Sequence, residues 1–456
     1  MTDDQALPED DELDQGRIEA VLQAVGAEDR AGLDALLEPL HAADIADLLE
    51  QIGQADRRAL LALWSHEIDG DILSEISDAI REEVVESLPR EVLVDAVRDL
   101  ETDDVVDLLE DLEQPQQDMV LEALTVADRA AVKQAMGYPE YSAGRLMQRE
   151  TVVAPEHWTV GEAIDFLREA QQLPDQFYHV ILVDPRMKPV GYVTLGRVLS
   201  ARRDVPLRTI VEDSFRTIEA SEPEADVAYV FNQYHLISCP VVDNAGRLVG
   251  VITIDDAMNV LDEEHQEDML RLAGVGDESS ISDRVLETAR QRLPWLFVNL
   301  MTAILASLVI AQFEEAITQL VALAVLMPIV ASMGGNAATQ SLTVAVRALA
   351  TRDLTEANVG RVILRETAVG LLNGVFFAVV MGLVSWGWFG DPTLGLVIAA
   401  AMVVNLVVAG MAGIMVPVMM EKAGVDPALA SGTFVTTVTD VVGFFVFLGL
   451  AAVVLL

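Results

Sequence analysis

Five apolar runs, each long enough to cross a membrane, fill the carboxyl-terminal part of the chain. They cover residues 293–313, 317–346, 362–389, 393–420 and 427–456. A membrane-spanning helix needs about 20 consecutive apolar residues, and a helix that is apolar on every side leaves no face for water. We therefore predict a domain of five transmembrane helices at 293–456, with membrane lipid around it.

A helical period dominates residues 15–136. Segments such as His41–Ile52, Arg90–Leu100 and Thr102–Leu112 place apolar residues three or four positions apart, behind a polar start. Helices of about a dozen residues are marginal alone, so they are expected to stack as a superhelical, all-α domain. The acidic residues 1–14 lack any such pattern and are expected to be disordered.

Strand and helix patterns alternate in the next part, which contains an internal repeat. Val180–Thr194 matches Cys239–Thr253 at an offset of 59 positions. Each copy reads as a strand, a tight turn, a second strand and a helix. We place the two α/β copies at residues 137–203 and 204–261.

This repeat resembles a tandem pair of CBS domains. The closing pattern glycine-x-x-threonine-x-x-acid is complete at Gly250, Thr253 and Asp256, whereas Arg197 replaces the acid after Thr194 in the first copy. Such pairs often bind adenine nucleotides, with the acid on the ribose. The resemblance therefore implies ATP contacts at Thr194 and Thr253, and the first copy lacks the acid.

Charge is divided unevenly between the two halves. The first 292 residues carry 24 Lys and Arg against 64 Asp and Glu, a net charge of −40, whereas later residues carry five against nine. This surface excludes nucleic acid and anionic lipid headgroups as partners and favours cations. The single cysteine, Cys239, forms no intrachain disulfide, which suits a cytosolic domain, and no signal peptide is visible.

The basic residues near the apolar runs predict the orientation. Arg284, Arg290 and Arg292 precede the first run, four arginines lie within 347–365, and Lys422 separates the last two runs. The loops after the first and third runs carry no Lys or Arg. By the positive-inside rule, these basic segments and the amino-terminal domains are cytoplasmic, and the carboxyl terminus lies outside the cell (inner) membrane.

One acid stands near the middle of the last run. An ionised Asp440 at that depth costs about 2.5–3.5 kcal/mol on insertion scales, so it is not expected to face lipid. Thr433, Thr436, Thr437 and Asp440 share one helical face. We interpret this face as the lining of a pore; the alternative is an aspartate hydrogen-bonded against a neighbouring helix.

A second polar cluster interrupts the second run. Gly334 and Gly335 permit either a close helix approach or an unwound turn, and Asn336 and Gln340 supply oxygen atoms. A packing seam of small residues is the structural alternative.

The acidic helical domain, the CBS pair, a linking helix at 262–292 and five spans together resemble the MgtE family of magnesium channels. The most specific matches are Gly334-Gly335-Asn336 with Gln340, Asp426-Pro-Ala-Leu429 and Thr439-Asp440. The resemblance implies a homodimer in which two Asp440 carboxylates face one hydrated Mg²⁺, which gives up its water reluctantly. The implied pore residues are Asp440, Thr436, Thr437, Gly334, Gly335, Asn336, Gln340 and Asp426.

The same resemblance implies regulatory Mg²⁺ sites between the cytoplasmic domains. The acids concerned are Asp103, Asp107, Asp256, Glu264, Glu267 and Asp268. Mg²⁺ bound between them would hold the linking helix as a plug that closes the pore. Like charges on one helix face destabilise it unless something neutralises them. A solvated acidic surface is the alternative.

The resulting prediction is a Mg²⁺-gated, Mg²⁺-selective channel that imports Mg²⁺, with Mn²⁺ and Co²⁺ as competing ions. Two alternatives stay open at this point. One is a proton- or sodium-coupled carrier of divalent cations with Asp440 as the relay, and the other is a membrane sensor that transports nothing. No nucleophile with a base, phosphate loop or redox motif is found, so no enzyme is expected.

Overall fold

The computed structural model describes residues 13–456 apart from 111, 171–172, 175, 214 and 276–284. These residues form two compact units, of which the first ends at Glu263 and the second begins at Glu264. The tail predicted to be disordered therefore lies almost wholly outside the described residues.

Short helices fill the beginning of the first unit. Several start at a side chain that accepts a backbone N–H, as Asp14, Asp29, Asp69 and Thr125 do. The described helices are α1 Gln15–Gly26, α2 Arg30–Leu37, α3 Ala42–Gln51, α4 Gln54–Trp64, α5 Gly70–Ser74, α6 Asp78–Ser87, α7 Arg90–Asp99, α8 Thr102–Glu110, α9 Gln114–Ala123 and α10 Val126–Ala135. Helices two positions apart pack together, α3 on α5, α5 on α7 and α7 on α9, and share one apolar core. The predicted all-α domain is confirmed.

Two small sheets follow and repeat one another. The elements are α11 Ala143–Leu146, β1 Val153–Pro155, α12 Val160–Glu169, β2 His179–Val183, β3 Pro189–Thr194, α13 Leu195–Ser200, β4 Ile218–Glu219, α14 Glu224–Tyr234, β5 Ser238–Val242, β6 Leu248–Thr253 and α15 Ile254–Leu272. In each sheet the first strand is parallel to the second, which is antiparallel to the third. Asp184 and Asp243 close the equivalent turns with their carboxylates. The predicted CBS-like repeat is confirmed.

The second unit contains the apolar helices. They are α16 Val285–Ala311, α17 Glu314–Gln319, α18 Ala322–Ala350, α19 Val359–Phe389, α20 Pro392–Lys422 and α21 Pro427–Val454. Among the described residues, five helices are long and apolar enough to cross a membrane, as predicted. Helix α20 lies in the centre of the unit, where it packs against α18, α19 and α21.

Three boundaries differ from the sequence prediction. Helix α15 begins at Ile254 and runs without a break past position 262, because no proline or glycine interrupts it. Residues 285–292 belong to the same helix as the first span, while 282–284 lie outside the described part. The second span begins at Ala322, since Glu314–Gln319 forms a separate short helix.

Candidate functional site

A polar stripe runs along the uncovered side of α18. Its exposed members are Ser332, Asn336, Thr339, Gln340 and Thr343, at positions i, i+4, i+7, i+8 and i+11, so that they share a face. The helix is continuous through Gly334 and Gly335, so the glycines serve close approach and form no unwound turn. Polar side chains at this depth need water, an ion or another protein surface opposite them.

A second polar stripe lies on α21. Thr433, Thr436, Thr437 and Asp440 are half-buried, whereas Thr439 is completely buried on another side of the helix. The hydroxyls of Thr436 and Thr437 donate to carbonyls one turn back, at 2.9 Å to Gly432 and 2.6 Å to Thr433. Their donors are therefore used within the helix, and lone pairs on oxygen are left for other ligands.

The two stripes are neighbours. A Cβ built on Gly335 would lie 3.8 Å from Thr436 Cγ2, which is ordinary van der Waals contact. Asn336 donates its amide N–H to the Ser332 carbonyl at 2.9 Å, so its side-chain oxygen is the group that can accept from or ligate something else. No described residue forms an ion pair or hydrogen bond with Asp440 inside this single chain.

Asp426, a predicted pore residue, lies at the amino-terminal end of α21. Its Oδ1 accepts from the Ala428 N–H at 2.8 Å and caps the helix. Its Oδ2 accepts from Arg271 Nη1 at 2.8 Å, and Arg271 also pairs with Glu267 at 2.7 Å. The end of α15 is thus ion-paired to the start of α21.

The three predicted acids on α15 share one partly covered face. Glu264, Glu267 and Asp268 are half-buried while His265 between them is exposed. Burial raises the pKa of both Glu264 and Asp268, and the Asp426 carboxylate adds to the shift. This end of the helix therefore holds several acids against one arginine.

A separate group of acids lies where α8 and the start of α15 face each other within the first unit. Asp103 is buried, and the half-buried carboxylate of Asp256 repels it. The carboxylates of Asp104 and Asp255 repel each other as well. Burial above all raises the pKa of Asp256 to about 7 and that of Asp104 to about 6. We name Asp103, Asp104, Asp255, Asp256 and Glu101 the acidic interface.

Glu101, Asp104 and Asp255 belong to the acidic interface although they were not among the predicted site residues. Glu101 accepts from Gln148, and burial followed by repulsion from Glu150 raises its pKa to about 7. It belongs to the acid run at 101–104, which was a signal in the sequence. By contrast, Asp107 is exposed and pairs with Arg81 Nη2 at 2.9 Å, an arginine that it shares with Asp78.

The acidic side chains do not by themselves form a finished metal centre. Within the described residues, no three His, Cys, Asp or Glu side chains lie close enough together to hold an ion. Within the described residues, the acidic interface is therefore a cluster of mutually repelling carboxylates without a complete set of metal ligands.

Neutralising Asp103 is expected to stabilise the protein in Mg²⁺-free solution. A carboxyl whose pKa is raised by folding favours the folded state below its unfolded pKa, and this contribution is lost as pH rises through the folded pKa. With pKa values of about 7 for Asp256 and Glu101, the acidic interface loses stability from about pH 4 to about pH 7. Asp103→Asn should raise the Tm at pH 8 and flatten its pH dependence.

Thermal unfolding of the full chain at pH 5 and pH 8, with and without Mg²⁺, measures this effect. Asp118→Asn, at an exposed position of α9, is the matched control for loss of one charge. Saturating Mg²⁺ should reverse the advantage of Asp103→Asn. An unchanged Tm profile in that variant would contradict repulsion at the interface.

The two predicted nucleotide-contact threonines differ in their surroundings. Thr253 donates to Asp256 Oδ2 at 2.7 Å. Thr194 caps α13, and Arg197 on that helix pairs with Glu212 at 2.9 Å and donates to the Val211 carbonyl. Arginine in place of the acid is therefore part of the local structure, and nucleotide binding stays a prediction.

One further acid lies within a span. Glu366 in α19 accepts from Ser341 Oγ of α18 at 3.1 Å. Glu366 stands two turns into its helix and is a second carboxylate within a span, besides Asp440.

Comparison with known proteins gives the same domain order. The chain matches the profile of MgtE divalent cation transporters over residues 327–450, that of the MgtE intracellular N domain over 40–141, and that of CBS domains over 143–204 and 203–263. These matches cover the three parts expected from the sequence.

Whole proteins match as well. The magnesium transporter MgtE of Thermus thermophilus is 31% identical over 446 residues, which is 95% of this chain and 97% of that protein. The magnesium transporter MgtE of Enterococcus faecalis is 33% identical over 70% of this chain and 71% of that protein. A crystal structure of the cytosolic domain of the Mg²⁺ channel MgtE with ATP is 28% identical, with a TM-score of 0.49 over 53% of this chain and 99% of that one.

The match to the Thermus thermophilus protein spans both the intracellular domains and the apolar helices, and its identity and coverage leave one conclusion. The chain is a multi-pass membrane protein with cytosolic amino-terminal domains, and it belongs to the MgtE family of transporters.

Proposed function

We propose that the chain is a Mg²⁺-selective channel that imports Mg²⁺ across the cytoplasmic membrane as a homodimer. One observation carries this proposal: the polar stripes of α18 and α21 meet at Gly335 and Thr436 in the middle of helices that are otherwise apolar. Oxygen atoms of hydroxyl, amide and carboxylate groups are the ligands that Mg²⁺ and its bound water accept.

A second copy of the chain supplies what a single chain lacks. Intramembrane acids pair with something, and the described residues offer no cation to Asp440. Two Asp440 carboxylates across a two-fold axis repel each other until a hydrated divalent cation lies between them. Mn²⁺ and Co²⁺ accept the same ligands and compete.

Closure by cytosolic Mg²⁺ follows from the acids. When no cation is present, repulsion within the acidic interface and among the acids at the end of α15 destabilises the compact state. Mg²⁺ that binds the compact state better than the open state shifts the population towards closure. The pair Arg271–Asp426 ties α15 to α21 at 2.8 Å, so movement of α15 is coupled to a stripe-bearing helix. ATP at Thr253 and Asp256 would act on the same region of the first unit.

Flux through purified protein in liposomes tests the transport proposal. A fluorescent Mg²⁺ indicator inside the vesicles should report uptake that rises with an inward Mg²⁺ gradient and falls when Mg²⁺ is present on the side of the cytosolic domains. Uptake should be the same with and without proton or sodium gradients. Dependence on such a gradient would favour the carrier, with Glu366 as a second titratable group, and absence of flux would favour the sensor.

The carboxyl terminus is proposed to lie outside the cell and the loop between α18 and α19 inside. The reason is the one-sided distribution of Arg and Lys. In a chain with Cys239→Ser, an impermeant maleimide should label Leu456→Cys on intact cells and should label Thr355→Cys, at an exposed loop position, only after permeabilisation. Labelling of Thr355→Cys on intact cells would reverse the orientation.

A further inference from the structure

A buried amide lies between the two helices that carry the polar stripes. Asn405, in the middle of α20, is 1% exposed. Its Nδ2 donates to the main-chain carbonyl of Val330 on α18 at 2.9 Å. An amide in the centre of an apolar helix is costly to bury, so its presence calls for a reason beyond filling space.

The amide occupies space that two glycines leave open. A Cβ built on Gly334 of α18 would lie 2.9 Å from Asn405 Cγ, and one built on Gly443 of α21 would lie 2.9 Å from Asn405 Nδ2. Real Cβ atoms do not come this close. One side chain of α20 therefore touches the backbones of both helices, two residues from Asn336 on one and one turn from Asp440 on the other.

The orientation of the amide is fixed by its partner. Because the Val330 carbonyl can only accept, the NH₂ group must face it. The Oδ1 atom then points the other way, where no described residue donates to it. A leucine of similar size would fill the space without leaving a buried acceptor unpaired. Packing alone therefore does not account for an amide here.

We propose that Asn405 is a positioning residue of the ion pathway: its hydrogen-bonded amide sets the separation of α18 and α21 at the level of Asn336 and Asp440. This inference rests on the proposed function, since it assigns to the two stripes one shared ion pathway. A hydrated Mg²⁺ is recognised by oxygen groups at a defined spacing, so a change in helix separation alters both affinity and selectivity.

Four variants test the assignment in the liposome assay, with half-saturating Mg²⁺ concentration and the Mg²⁺/Ca²⁺ flux ratio as readouts. Neither depends on how much protein folds. Asn405→Leu should raise the half-saturating concentration by about fivefold, the factor for loss of one hydrogen bond of about 1 kcal/mol, and lower the flux ratio. Asn405→Ala and Gly334→Ala should each raise the half-saturating concentration and lower the flux ratio. The double variant Asn405→Ala with Gly334→Ala should lie closer to the wild type in both values than the single variants do, because the added methyl enters the space that the amide leaves.

Ser385→Ala is the matched control. Ser385 is also fully buried with an unpartnered Oγ among the described residues, but it lies on α19 and is not among the atoms nearest to Gly334 or Gly443, which all belong to Asn405. It should leave both readouts unchanged. Asn405→Leu with wild-type values in both, or strictly additive losses in the double variant, would overturn the inference. If Asn405→Leu does not yield folded protein, the double variant decides alone.

Asp440→Ala in the same assay separates the two proposals. If Asp440→Ala abolishes flux while Asn405→Leu behaves like the wild type, the proposed pore is supported and the role of Asn405 is contradicted. If Asp440→Ala leaves flux undiminished, both the proposed pore and the role of Asn405 are contradicted.

Discussion

Replacing Asp440 by alanine is expected to abolish Mg²⁺ flux while the protein still inserts and assembles. Asp440 is half-buried on the stripe of α21 and has no hydrogen-bond or ion-pair partner among the described residues, so its loss leaves no buried charge behind. Removing a carboxylate from a span also lowers the cost of insertion, by about 2.5–3.5 kcal/mol on insertion scales. The stability of the variant should therefore equal or exceed that of the wild type while transport is lost.

This opposition of stability and activity distinguishes a pore residue from a packing residue. The measurements are liposome uptake and the elution of detergent-solubilised protein on size exclusion. Phe434→Ala, at an exposed position on another face of the same helix, is the control for truncating a side chain of α21. Wild-type uptake in folded, inserted Asp440→Ala would show that the ion path lies elsewhere.

Neutralising the acids at the end of α15 is expected to produce a channel that no longer closes at high Mg²⁺. The change is Glu264→Gln, Glu267→Gln and Asp268→Asn together. Two unit charges about 4 Å apart interact by about 1 kcal/mol in water and about 4 kcal/mol at an effective dielectric of 20. Several such pairs, reduced by their partial exposure, approach the roughly 5.5 kcal/mol that takes a two-state gate from 1:99 to 99:1. Amides lose both the repulsion and the attraction to Mg²⁺.

Patch-clamp open probability against cytosolic Mg²⁺ is the measurement. Glu82→Gln, Glu86→Gln and Glu91→Gln remove the same charge from the helical domain, where the three side chains are mostly exposed, and serve as the control. The single change Arg271→Gln should act differently: it leaves Asp426 without its 2.8 Å partner, so closure should need more Mg²⁺ but still occur. A wild-type Mg²⁺ midpoint in the triple variant would assign gating to other groups.

Much of the architecture followed from periodicity. The five apolar helices, the stacked short helices and the repeated strand pairs were all predicted, because each depends on the local alternation of apolar and polar residues. Element ends were less well predicted. The start of α15 at Ile254 and the separate helix Glu314–Gln319 depend on contacts and local hydrogen bonds that periodicity does not encode.

The candidate site divides in the same way. The stripe on α21 was predicted from spacing. Its four polar residues lie at positions i, i+3, i+4 and i+7, and residues at this spacing share one face of a helix. Its neighbour on α18 was predicted only in part: Asn336 and Gln340 were recognised, whereas Ser332, Thr339 and Thr343 were not. Their exposure on one side of a span became visible once the other side was buried against α20 and α21.

The sequence by itself determined which residues are chemically able to meet a cation, because the identity of an acid and its depth in an apolar run are local properties. Only the tertiary structure decided which groups face each other. It paired Asp426 with Arg271 and Asp107 with Arg81, brought Asp103 towards Asp256 across about 150 residues of sequence, and inserted Asn405 between Gly334 and Gly443. Such pairings depend on how helices pack, and packing is set by the shape of both partners together.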